Sequence, residues 1–138
     1  MSNGIDVILG DHRRVEELFA GFRKGGEGTV AGMIFDALAA HDDAEQATLY
    51  PLVEAIGIDQ AVVSRSLLAH SNLKRLIEHA RGQEGPPLVE AMAALESAVN
   101  EHVRDEERTL LPALQKAATA TQLEGLAARW NQVQQRVG

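Results

Sequence analysis

Apolar residues return every three or four positions along most of the chain, the period of an α-helix that buries one face. The first stripe, Ile5, Ile8, His12, Val15, Leu18, Phe19 and Phe22, predicts a helix over about 4–24. Gly25-Gly26-Glu27-Gly28 ends it, and Thr29 is a candidate N-cap for the next helix. The second stripe includes Ile34, Ala37, Leu38, His41, Glu45, Thr48, Leu49 and Leu52 and predicts a helix over about 30–55. Pro51 lacks an amide hydrogen and crowds the preceding turn, so a kink or break is expected near Tyr50. Gly57 is a stop signal, and Asp59 caps a third helix over about 60–81, with Val63, Leu67, His70, Leu73 and Ile77 in register. A Gly/Pro loop at 82–87 precedes a fourth helix from near Pro87 to about Ala118. Its stripe runs Leu88, Met92, Leu95, Val99, His102, Glu106, Thr109 and Leu110, with a kink expected at Pro112. Leu123, Leu126, Trp130 and Val133 predict a last helix over about 121–136, docked on the outside or end of the others.

Polar residues stand inside these apolar stripes, and they repeat. His41-x3-Glu45-x3-Leu49-x-Pro51 matches His102-x3-Glu106-x3-Leu110-x-Pro112, and His12-x2-Val15-x2-Leu18 matches His70-x2-Leu73-x2-Leu76. Each half is a helix pair with one histidine on its first helix and His-x3-Glu on its second. Two such hairpins about a pseudo-twofold axis make an all-α, up-down-up-down four-helix bundle over about 4–118, in a single domain with one additional C-terminal helix.

Composition narrows the chemistry. The chain has 138 residues and no cysteine, which removes disulfides, thiolate zinc sites, cysteine-ligated iron–sulfur clusters and cysteine nucleophiles together. A net charge of −7 argues against nucleic acid or an anionic membrane as partner. The N-terminus shows no secretory signal and no apolar run approaches a membrane span, so a cytoplasmic location is the expectation.

Six residues then stand out as metal ligands: His12, His41, Glu45, His70, His102 and Glu106. A residue and its i+4 neighbour share one helix face, so each His-x3-Glu presents an imidazole and a carboxylate together. Burying two carboxylates without a counter-charge is expensive. Imidazole with carboxylate suits iron, manganese or zinc, whereas calcium and magnesium prefer oxygen ligands. The pseudo-symmetry implies two metals, one on His12 and His41 and one on His70 and His102, with Glu45 and Glu106 bridging. An oxo or hydroxo bridge would make five ligands per metal and leave an open position on each.

The pattern H…HxxxE…H…HxxxE with matching prolines resembles the hemerythrin-like HHE cation-binding domain family, over about residues 4–118. The resemblance implies a non-haem di-iron centre with these six residues as ligands. It also implies a small diatomic or peroxide ligand: dioxygen, peroxide or nitric oxide, bound or redox-processed. The alternative is a non-catalytic module for iron handling or oxygen sensing, and the sequence leaves turnover undecided. One departure bears on function. Oxygen-carrying hemerythrins have a further histidine four residues after the first on the third helix, and here that position is Lys74. Reversible oxygen carriage is therefore in doubt, and peroxide decomposition, sensing or iron handling gains weight.

Other residues read more plainly. Glu16, the pseudo-symmetric counterpart of Lys74, is a seventh ligand, a partner for Lys74 or, most commonly for such a position, part of a solvated face. Asp11 falls with Arg13, Arg14, Glu16 and Glu17 on faces other than the apolar stripe. Tyr50 lies about 140° from Glu45 on an ideal helix, and a kink at Pro51 would bring it closer; packing or a hydrogen bond behind the ligands is still favoured over coordination. His79 is expected in solvent and Trp130 as a packing anchor. Asp42-Asp43 and Asp105-Glu106-Glu107 are charge runs; the members that are not ligands face solvent unless one reaches the second nitrogen of a histidine. No feature identifies a protein partner.

Overall fold

A computed structural model describes residues 3–137, which form helices joined by short connections with no strand among the described residues. Helix α1 spans Gly4–Gly25, and Asn3 caps it by accepting the Ile5 N–H at 2.8 Å. Gly26 terminates it in the left-handed region, φ 62°, with its own N–H on the Phe22 carbonyl. Helix α2 spans Gly28–Ala44, one residue after Glu27. The expected N-cap Thr29 is already inside this helix; the Glu27 carbonyl, not a side chain, accepts the Val30 and Ala31 amides.

The predicted kink at Pro51 takes a specific form. Residues Glu45–Leu49 make a π-turn, in which the Tyr50 N–H reaches back five residues to the Glu45 carbonyl, and α3 continues over Tyr50–Ile56. The second half repeats the device: α5 (Gly85–Asp105), a π-turn at Glu106–Leu110 closed by the Leu111 N–H on the Glu106 carbonyl, then α6 (Leu111–Ala117). A proline in an α-helix clashes with the carbonyl four residues back, and widening that turn relieves the clash without ending the rod. Between them α4 spans Gln60–Arg81, with Asp59 accepting the Ala61 N–H at 2.9 Å. Helix α5 begins two residues before the expected Pro87, because Pro86 and Pro87 both fit a first turn, where amide hydrogens have no partner.

The four rods α1, α2–α3, α4 and α5–α6 form the bundle, with α1 paired to α2 and α4 paired to α5. Helix α7 (Ala120–Val137) lies along α1, α2 and the first π-turn. Its Leu123, Leu126 and Trp130 are buried, so it completes one wall of the core. Two apolar clusters fill the bundle. One holds Phe19, Phe22, Ile34, Phe35, Met92 and Leu95; the other holds Ile8, Leu49, Val53, Leu110, Leu114 and Trp130. No helix is long and apolar enough to cross a membrane among the described residues.

The seat of α7 is tight at Gly4, where an added Cβ would lie 2.5 Å from Cγ of the fully buried Leu126. Gly4→Ala is expected to destabilise the fold by about 1–3 kcal/mol in urea unfolding, the usual cost of overpacking. An unchanged midpoint and slope would show that α7 is not clamped there.

Candidate metal centre

The six sequence-predicted side chains meet at one level of the bundle, all buried. His12 comes from α1, His41 from the end of α2, His70 from α4 and His102 from α5. Glu45 and Glu106 open the two π-turns. All four Nε2 atoms point at the two carboxylates. Glu45 Oε1 lies 3.2 Å from His41, 2.9 Å from His70 and 3.9 Å from His102. Glu106 offers one oxygen to each half, Oε1 to His12 at 3.1 Å and Oε2 to His102 at 3.4 Å. Two groups able to hold an ion result, His12–His41–Glu106 and Glu45–His70–His102–Glu106.

The residues behind the rings were the harder part to foresee. His41 Nδ1 pairs with Asp11 at 2.6 Å, His12 Nδ1 with Glu107 at 2.8 Å, and His70 Nδ1 with Asp42. Asp42 and Glu107 do reach histidines, while Asp43 is exposed and Asp105 pairs with Arg65. The placement of Asp11 away from the core is corrected. It is buried, because α7 covers that side of α1 and brings Gln134 Nε2 to within 3.4 Å of its carboxylate. Trp130, fully buried, sets its ring edge-on to His41 at 5.2 Å between centroids.

Tyr50 is closer to the cluster than an ideal helix allows. Its hydroxyl lies 3.0 Å from His70 Nε2 and 2.6 Å from Ser66 Oγ. Bonds that close over five residues turn Tyr50 toward the face of Glu45, so the π-turn narrows the 140° offset. Ser66 was not singled out in the sequence, and only this turn connects it to the site. Glu16 is exposed and pairs with Arg13 at 3.0 Å, outside the cluster, and Lys74 pairs with Asp42 at 3.5 Å rather than with Glu16. His79 is exposed. Thr48 is buried and donates its hydroxyl to the Ala44 carbonyl, and Thr109 is half-buried.

The charges explain why such a layer calls for a cation. Burial alone would depress the imidazoles, but the carboxylates outweigh it and raise His12, raise His41 well above its ordinary range, and push His70 up to about 9. Against the same burial, His41, His102 and His70 hold the Glu45 carboxyl well below the usual range. Burial and the neighbouring Glu45 charge push Glu106 up. Burial and the two glutamates likewise raise Tyr50. Among the described residues, the buried side-chain atoms without a hydrogen-bond partner are His12 Nε2, both oxygens of Glu45 and Glu106, both nitrogens of His102, and Trp130 Nε1. Orphaned donors and acceptors normally cost about 1–3 kcal/mol each, and nearly all of these converge on one point. The donor set fits a metal ion, which satisfies imidazole and carboxylate lone pairs at once.

A cleft of about 320 Å³ joins this layer to the surface. Val15, Leu38, Leu73 and Ile77 wall it, the four histidines border it, and Lys74 and Arg81 stand among its charged residues.

The class of protein is a helical bundle with an interior His/Glu cluster able to hold a metal ion. The model of the hemerythrin HHE cation-binding domain matches residues 3–114, and the chain belongs to that family. Its fold is also that of a hemerythrin HHE cation-binding domain-containing protein from Mycobacterium kansasii, with a TM-score of 0.83 and 18% identity over 99% of this chain and 90% of that one. A DNA nickase of Nostoc sp. (strain PCC 7120) is 30% identical over 146 residues, 96% of this chain but 40% of the relative. The chain thus spans well under half of that curated protein.

Raised imidazole pKa values mean that the folded, metal-free chain binds protons more tightly than the unfolded one. The resulting stability is full below the unfolded value of 6.5 and is lost as pH rises through about 9 for His70. The lowered Glu45 acts oppositely, and its contribution disappears on the acid side of 4.5. Thermal scans of metal-free protein should therefore show Tm falling between about pH 6.5 and pH 9.5. A Tm that is flat or rises across that window would contradict the ion pairing described.

Proposed function

We propose that the chain holds two iron ions and processes a small oxidant: dioxygen, peroxide or nitric oxide. One ion would be held by His12 and His41 and the other by His70 and His102, with Glu45 and Glu106 shared. The observation that carries this reading is the convergence of unpartnered buried nitrogens and oxygens from both halves of the bundle on one point. Manganese and zinc suit the same donors, but iron with an open coordination position supplies redox chemistry that zinc does not.

The chain's own residues define the rest. The carboxylates of Asp11, Asp42 and Glu107 fix the tautomers of three rings so that Nε2 is free to donate its lone pair. The apolar walls of the cleft keep bulk water from the layer while admitting a small molecule. The residue four after His70 is Lys74, held by Asp42 at the cleft, so the further histidine of the oxygen carriers is absent from this position. Turnover of an oxidant is thereby favoured over its reversible storage. The activity named for the Nostoc relative is not the reading preferred here. The six residues are at most 8% exposed, and the net charge of −7 opposes a DNA backbone. A non-catalytic module for iron handling or sensing is the remaining alternative.

Protein loaded anaerobically with ferrous iron should retain about two irons per chain, as a two-metal site requires, and should consume peroxide faster than the same concentration of free iron. Well under one iron per chain would overturn the metal assignment. Two irons with no peroxide loss beyond free iron would favour the non-catalytic alternative.

Glu45→Ala and Glu106→Ala each remove a shared carboxylate and should lower the retained iron at least twofold, with a lower Tm. Full iron retention in both variants would refute the shared role.

A further inference from the structure

The pseudo-twofold symmetry that relates the two halves is broken behind the histidines. Three of the four rings have a carboxylate at Nδ1: His12 has Glu107, His41 has Asp11 and His70 has Asp42. His102 Nδ1 is buried and has no partner. The cause is legible in the chain. Asp11, which supports His41, immediately precedes His12, and the residue in the same place before His70 is Ala69. Ala69 borders a cleft of about 430 Å³ shared with Arg65, Asn72, Glu101, His102 and Asp105. The Asp105 carboxylate there is engaged by Arg65 Nε at 3.0 Å, and no side chain takes the place of Asp11.

A second asymmetry lies on the same side. Tyr50 sets its hydroxyl 3.0 Å from His70 Nε2, the nitrogen that must donate to a metal. The equivalent residue after the other π-turn is Leu111, and the equivalent of Ser66 is Ile8, so His12 meets no such competitor.

We propose that the two metal positions are unequal: the one on His12 and His41 is tightly held, and the one on His70 and His102 is exchangeable. This rests on the two-metal reading above. A carboxylate behind a ligating imidazole fixes its orientation and raises its basicity, and losing one typically costs about 10–100-fold in metal affinity. Tyr50 acts in the same direction, because a hydroxyl on Nε2 competes for the lone pair the metal needs. Donor number runs the other way: four groups gather at His70 and His102 against three at His12 and His41, although Glu45 Oε1 also lies 3.2 Å from His41. The inequality rests on what stands behind the rings, not on the number of ligands.

The test is to supply one equivalent of zinc(II) to metal-free protein and to locate it by anomalous diffraction at the zinc edge. Occupancy at His12–His41 should exceed that at His70–His102 by about tenfold or more. Ala69→Asp offers His102 the missing carboxylate, and Asp11→Asn removes the one behind His41; each should bring the two occupancies within a few-fold. Equal occupancy in the unaltered chain overturns the inequality while leaving the two-metal reading intact. A single occupied position even with excess zinc overturns the two-metal reading instead. A ratio that neither variant changes overturns the assignment of the difference to Asp11 and Ala69.

Discussion

Glu45 and Glu106 stand together at the centre of the bundle, and their burial is the constraint on which the other features depend. An uncompensated carboxylate in such a place costs several kcal/mol, and a second one beside it raises the cost again. The chain meets it with four imidazoles aimed at the pair and three further carboxylates holding the far nitrogens of three rings. Protonated imidazoles balance the charge when no metal is bound, and cations do so when one is. The apolar clusters on either side of the layer offer the polar groups little else, the Tyr50 hydroxyl on His70 being the exception.

The prolines matter because of where they place these glutamates. Pro51 and Pro112 each sit six residues after a glutamate, and each forces the turn between to widen. In the first half the wider turn brings Tyr50 toward the face of Glu45, where its hydroxyl meets His70. The same turn in the second half presents Leu111, fully apolar, to the cluster that also holds the Tyr50 ring. Identical backbone devices thus deliver different chemistry to the two halves, and the missing carboxylate behind His102 adds to that difference.

The stripes, the internal repeat and the six central residues were legible in the sequence because helical periodicity and i,i+4 spacing are local properties. Asp11 was not, since only the seat of α7 on α1 decides that this side of the helix is covered. The hydrogen bond favoured for Tyr50 is found, but its closeness to the cluster and its Ser66 partner carry no local signal. An ideal helix has no register shift, whereas a π-turn adds one residue and rotates all that follows. Trp130 was identified as an anchor, but its position beside His41 depends on the same docking of α7. Asp42 and Glu107 are intermediate cases, since charge runs beside a ligand can face either way until neighbouring helices are in place.

The fold, the family and the His/Glu layer define an HHE-family helical bundle able to hold a cation, and two iron ions sharing Glu45 and Glu106 are the occupants proposed for it. The most direct test is X-ray absorption at the iron edge on the iron-loaded protein. A paired centre predicts iron–iron scattering at about 3.5–4 Å or less, together with about two imidazole nitrogens on each iron. A spectrum with only light-atom shells, and no metal–metal vector at full loading, would contradict it.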